Sequence, residues 1–477
     1  MLLETAPVAP TSRPQYNLGC LTDIPCGEFY QMPDGTYVLD AGMGVTNTII
    51  GPQNSFKTAI LMMFHMTILE RYLGTGLLFF DSEESFKYSR LNRAKKRFAR
   101  LSKEIFDEDH TDLIQVTHQY QMMGDDYFEA TKRLAKERQK LRDNKKKTMP
   151  FPGKNGEFIK EVPRLFVFFD SMSETKTKSV EDSVVDKNNV GQGSSQTVYM
   201  KDGNAKTQMV RQMGYLASVG HMAYSMTGHV GKTIQIEKYE PVAPALSYSK
   251  RGISPKGLPG KTEYLNNNYW EIFDAKPLVN SSSDKSAKYP KYDADRDKDT
   301  VDLMVVSTVQ TRNKNGVSGF RYEFIVSQSE GLLPSLTEFH YVKALRGNYG
   351  VGGNDQNFFM ELYPHQNLKR TTIRQLLDDD PKLCQAVKLT ADLAQIQQLW
   401  RMEERYVVTP AELYQSMIDK GYDWDILLDT REWWTYMEDE KDLLPRMTIM
   451  DLLAVHAGEL KLPWYDKEVK RRQKAAA

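Results

Sequence analysis

Thr46-Asn47-Thr48-Ile49-Ile50 followed by Gly51-Pro52-Gln53-Asn54-Ser55-Phe56-Lys57-Thr58 decides the reading of this chain. The first five residues are mostly β-branched, as in a buried strand. A glycine followed six residues later by Lys-Thr has the outline of a phosphate-binding loop. Thr58 to Ile68 then reads as an apolar helix. Strand, loop and helix in that order aim backbone N–H groups and a helix N-terminus at an anion. In such a loop Lys57 reaches the β- and γ-phosphates and the Thr58 hydroxyl binds Mg²⁺, so ATP and Mg²⁺ are the expected cofactors. The glycine usual before the lysine is replaced by Phe56.

The pattern continues outward from this loop. Lys57 to Tyr72 is apolar nearly all round, which predicts a helix held between layers. Leu77-Leu78-Phe79-Phe80 reads as a buried strand leading into Asp81-Ser82-Glu83-Glu84. A mixed-charge helix is expected from about Asp126 to Asn144, and a Pro/Gly-containing insertion from Pro150 to Pro163. Leu165 to Phe169 is a further buried strand, ending at Asp170. Residues 172–205 are polar, His221 to Met226 is a strand, and 230–300 is loop-like. Val301 to Val309 and Phe320 to Ser327 alternate as a strand pair around the Asn315-Gly316 turn. Alternating strands and helices predict an α/β fold with a mainly parallel sheet flanked by helices. The phosphate loop, Asp81 to Glu84, Asp170 and His229 all follow expected strands, so they should meet at one sheet edge. The expected divisions are an arm at 1–20, a core at 21–345, a linker at 346–370 and a mostly α-helical region at 371–477, with tryptophans at 400, 424, 433, 434 and 464.

Composition narrows the rest. Of 477 residues 40% are apolar and 26% charged, with 63 cationic and 63 acidic residues, so no global field draws the chain to nucleic acid or membrane. Cys20, Cys26 and Cys384 form no disulfide framework and no metal-ligand spacing. No signal peptide or membrane-length apolar run is read, and a cytoplasmic setting is expected.

Asp170, after an apolar strand and about a hundred residues past the phosphate loop, suits a Mg²⁺-holding carboxylate. A carboxylate within Asp81-Ser82-Glu83-Glu84 could orient the water that attacks the γ-phosphate, although a solvated loop acid is the equal alternative. The order of phosphate loop, strand–Asp–Ser–Glu and strand–Asp–Ser resembles the RecA-type recombinases, most of all the phage UvsX branch. That branch also carries Gly-Pro and Ser-Phe-Lys in its loop, so Phe56 reads as a branch marker. The resemblance spans roughly residues 20–345 and implies a RecA-like P-loop ATPase core.

It also implies Glu83 as the catalytic carboxylate, His229 as a γ-phosphate sensor where a plain turn histidine is the alternative, and Tyr88 near the adenine. Arg312 and Lys314 resemble the basic pair extended into a neighbouring subunit's ATP, which makes the expected assembly a homo-oligomer with ATP at its interfaces. The expected function is a DNA-dependent ATPase that assembles on single-stranded DNA and pairs it with duplex DNA in recombination or repair. The alternative is a DnaB-like hexameric helicase, which the Arg312 to Gly319 turn also resembles. In the second loop after the catalytic strands, Lys232, Lys238, Lys250, Arg251, Lys256 and Lys261 are the candidate DNA contacts, with Tyr239, Tyr248 and Tyr264 interleaved. The basic run from Arg90 to Lys103 reads as a solvated helix face ahead of a DNA site.

Overall fold

The computed structural model describes residues 2–3, 13–153, 155–178, 180–181, 196–232, 248–249, 253–259, 262–281, 283–296, 301–345 and 349–476. Its centre is a sheet built from β1 (Thr46–Gly51), β2 (Gly76–Asp81), β3 (Ile114–His118), β4 (Leu165–Asp170), β5 (Met222–Lys232), β6 (Ile253–Lys256), β7 (Asn268–Pro277), β8 (Leu303–Asn313), β9 (Arg321–Ser327) and β10 (Gly331–Leu332). The spatial order is β10-β9-β8-β7-β1-β5-β4-β2-β3, with β6 paired to the end of β5. The run from β7 to β3 is parallel. The pairings among β7, β8, β9 and β10 are antiparallel. The fold is therefore α/β with a mixed sheet.

Parallel strands buried on both faces need apolar residues at every position, and β4 shows why. Phe166 and Phe168 face α1 (Lys57–Arg71), together with Ile60, Phe64 and Ile68. Val167 and Phe169 face the other layer, α2 (Gly124–Gln139) and α3 (Gln196–Gly220), where Phe128, Met213 and Leu216 pack. His65 of α1 is caught between the rings of Phe166 and Phe168. Burial lowers its pKa to about 3, so it is a neutral core residue.

Three stretches differ from expectation. Residues 230–300, read as loop-like, supply β6 and β7, and β7 lies directly beside β1. Its opening is buried although it begins with asparagine, because Asn268 donates to Gly42 O at 2.8 Å and Asn47 Oδ1 at 3.0 Å. The stretch 346–370, expected as a linker, carries a three-stranded antiparallel sheet of Val351–Gly353, Asn357–Met360 and Tyr363–Lys369. Pro14 to Leu18, placed within an expected arm, is buried. Tyr16 packs edge-on to Tyr72 and against Trp434, and shares a 2.7 Å hydrogen bond with the Tyr436 hydroxyl.

The chain beyond residue 371 forms helices that include α5 (Pro381–Leu399), after α4 (Pro334–Ala344). Leu383, Val387 and Leu393 share one core with Ile24, Phe29 and Leu39. Trp400, Trp424 and Trp434 are all buried, so they serve packing. Among the described residues no helix is long and apolar enough to cross a membrane.

Candidate functional site

The parallel register sets one row of residues along the carboxyl edge of the sheet. Gly51 lies opposite His229, and Asp81 lies opposite both Asp170 and His118. Gly51 ends β1 where side chains are not tolerated: a Cβ there would meet Ile272 Cβ and Ser55 Oγ, each at 2.8 Å. The loop is closed by Ser55 Oγ, which donates to Pro52 O at 2.7 Å. Asn54 and Phe56 both adopt positive φ, 56° and 64°. Pro52, Gln53 and Asn54 face solvent, whereas Ser55 is buried and the Phe56 ring is half-buried against the α1 side of the sheet.

Phe56 precedes the first residue of α1, and no side chain caps that helix start. The first-turn N–H groups of such a helix attract an anion. Lys57 Nζ folds back to donate to Pro52 O at 2.7 Å and Gly51 O at 3.3 Å. Burial lowers its pKa, against the pull of Glu83 and Asp170. Thr58 Oγ1 donates to Asp170 Oδ2 at 2.8 Å, and Thr227 Oγ1 donates to Asp170 Oδ1 at 2.5 Å. Burial pushes Asp170 up to about 6 against these two hydrogen bonds, with Glu83 and Asp81 adding to the rise.

These residues fit Mg·ATP. A buried carboxylate that resists ionisation is one a cation would restore, and an ammonium resting on loop carbonyls is free to turn to phosphate. Among the described residues no trio of His, Cys, Asp and Glu could cage a metal.

Glu83 meets His229, with Nε2 and Oε1 3.0 Å apart, and Glu174 lies 4.0 Å from the same nitrogen. Among the described residues the buried His229 Nδ1 has no hydrogen-bond partner, and the His229 amide donates to Ser173 Oγ at 2.8 Å. Tyr88 opens the short helix Tyr88–Ala94, edge-on to Phe86, with its hydroxyl pKa raised by burial and then by Glu108 and Asp107.

Arg312 and Lys314 stand apart from this cluster. Arg312 is opposite Tyr269, which is opposite Thr48, so it lies three residues back from Gly51 in strand register. Its guanidinium lies 6.0 Å from the Tyr264 ring centroid. Lys314 Nζ donates to Leu265 O at 3.2 Å, and burial followed by the Arg312 charge lowers its pKa.

Of the candidate DNA contacts, Lys256 is exposed on β6, opposite His229. Lys232 ends β5, but its side chain lies outside the described residues, as do Lys238, Lys250, Arg251 and Lys261. The basic run after Arg90 is partly spent on the protein: Arg97 pairs with Glu330, and the Arg100 guanidinium donates to Glu70 O at 3.4 Å and lies 3.8 Å from the Glu104 carboxylate.

Two residues of the cluster escaped sequence reasoning. Thr227 sits inside a strand and carried no local signal. His118 ends a strand that was not anticipated, and its Nδ1 lies 3.1 Å from Asp81 Oδ2.

No family model and no curated protein matches this chain. Among solved structures it is similar to the crystal structure of the RadB recombinase, at 14% sequence identity over 61% of this chain and 92% of that one, with a TM-score of 0.31.

Proposed function

We propose that this chain is a DNA-dependent ATPase of the RecA type, related to the phage UvsX branch. In this reading it assembles on single-stranded DNA and promotes pairing with homologous duplex in recombination or repair. The observation that carries the ATPase part is the 2.8 Å contact from Thr58 Oγ1 to Asp170, with Lys57 folded over the same loop. When bound, Mg·ATP supplies the phosphoanhydride and the charge that the metal neutralises.

The chain's own residues then divide the work. Lys57 and the α1 N-terminus hold the phosphates, and Thr58 and Asp170 hold the metal. Glu83 accepts the proton of the attacking water. His229, in contact with Glu83 and at the base of the β5–β6 hairpin, links the phosphate edge to the loop read as contacting DNA. Arg312 and Lys314 act on the ATP of the next subunit.

The test is ATP hydrolysis with and without single-stranded DNA. The wild type should be stimulated, Lys57→Ala should lose turnover, and Glu83→Gln should bind a fluorescent ATP analogue without hydrolysing it. Unchanged turnover in Lys57→Ala overturns the assignment of the loop. Electron microscopy with single-stranded DNA and a non-hydrolysable analogue should show helical filaments. Closed hexameric rings would move the reading to the DnaB-like helicase.

A further inference from the structure

We propose that His118 is a positioning residue that holds the Glu83 turn in place through the buried carboxylate of Asp81; the proposal rests on the ATPase reading above. Asp81 is fully buried, and its Oδ2 accepts two hydrogen bonds. One comes from the Phe86 amide at 2.9 Å and the other from His118 Nδ1 at 3.1 Å. The Phe86 bond closes a turn over the four residues Ser82, Glu83, Glu84 and Ser85, with Glu84 at φ 52°.

The other end of the turn is fixed separately. The Ser82 amide donates to Asp170 O at 2.8 Å, and Ser82 Oγ donates to Ser171 O at 2.7 Å. Glu83 thus leaves the chain between two anchors, one tied to β4 and one tied to Asp81. The first is backbone-supported. The second depends on a carboxylate which, among the described residues, has His118 as its side-chain donor and no partner at its buried Oδ1.

A buried carboxylate stripped of a donor is left underpaired and swings toward another donor. That movement loosens the Phe86 bond and with it the aim of Glu83. His118 is itself held in register. It lies opposite Asp81 on β3, and the next residue binds both flanks. The Gln119 amide donates to Asp81 O at 3.1 Å, and Gln119 Oε1 accepts from the Lys176 amide at 2.7 Å. The His118 side chain is 24% exposed, so its removal leaves no large cavity.

The two substitutions that decide this are His118→Ala, which deletes the donor, and His118→Asn, whose amide nitrogen stands where Nδ1 stands. DNA-stimulated ATPase and binding of a fluorescent ATP analogue are measured for both, beside Glu83→Gln. His118→Ala should lower kcat about ten-fold or more while KM and analogue affinity stay within about two-fold, as expected for a displaced catalytic group. His118→Asn should restore kcat to within about three-fold of wild type.

Wild-type kcat in His118→Ala, a change in KM alone, or an Asn variant as slow as Ala overturns the proposal. Should the alanine variant not fold, as judged by its thermal transition, His118→Leu against His118→Asn makes the same comparison. If Glu83→Gln itself keeps full turnover, the ATPase assignment of Glu83 has failed, and that result is separate from any outcome at His118.

Discussion

Phe56 occupies a backbone conformation that disfavours side chains, at φ 64° and ψ 20°. A non-glycine residue in the left-handed region costs on the order of 1–3 kcal/mol. The half-buried ring, packed against the α1 side of the sheet, offsets part of that cost. Two substitutions separate the effects. Phe56→Gly relieves the backbone and loses the packing, so ATP turnover should stay within about five-fold of wild type. Phe56→Val keeps some apolar surface but puts a β-branched side chain where it fits worst, and should lower turnover further than glycine does. Steady-state ATPase of the two variants checks the order. Asp40 is a second residue under stress: burial raises its pKa from 3.8 to about 7, opposed by the Gln15 amide and Arg164, with Glu28 adding to the rise. The folded state therefore holds a proton that the unfolded chain releases near pH 4. The stability Asp40 contributes is complete below about pH 4 and is lost as pH rises through about 7. Asp40→Asn stays neutral throughout, so its stability relative to wild type should rise between pH 5 and pH 8 in urea denaturation.

At the scale of elements, β1, its loop, α1 and β4 were legible because their burial is written locally, in β-branched or aromatic runs punctuated by glycine or aspartate. β7 was not. Asn268, Glu271, Asp274 and Lys276 interrupt its apolar residues, and the Asn268 side chain is satisfied, among the described residues, by Gly42, Asn47 and Gln310, which come from distant parts of the chain. The same difference divides the site. Lys57, Thr58, Glu83 and Asp170 each follow a readable strand. Thr227 and His118 acquire their places from pairing across the sheet. If β7 is as integral to the sheet as its register implies, Trp270 is a core residue: it is 1% exposed and packs against Phe64. Trp270→Ala should cost about 3–5 kcal/mol, as large core truncations do. Tyr215→Ala, at a side chain 70% exposed on α3, should stay within about 0.5 kcal/mol. Chemical denaturation of the two variants makes the comparison.

For the molecule as a whole, the separation of Arg312 from Glu83 makes a single subunit incomplete under the proposed mechanism. Glu83 sits against His229 on β5, and His229 is level with Gly51. Arg312 is on β8, level with Thr48. From β8 to β5 is three strand spacings, about 14 Å, and from the level of Thr48 to that of Gly51 is about 10 Å more along the strands. That exceeds the reach of one arginine side chain, so under the proposed mechanism the two groups would act on one ATP from two copies. Such a head-to-tail contact presents Glu83 on one face and Arg312 on another. Glu83→Gln and Arg312→Ala should then each be inactive alone and recover activity when mixed. In an equal, random mixture one interface in four joins the intact Glu83 of an Arg312→Ala subunit to the intact Arg312 of a Glu83→Gln subunit. ATPase should therefore return to about one quarter of the wild-type rate. Restoration should need DNA and exchange of subunits, and should vanish when both substitutions are placed in the same chain. A mixture that stays inactive although the subunits co-assemble, or an Arg312→Ala protein that is active alone, would show that Arg312 takes no part in a neighbour's site.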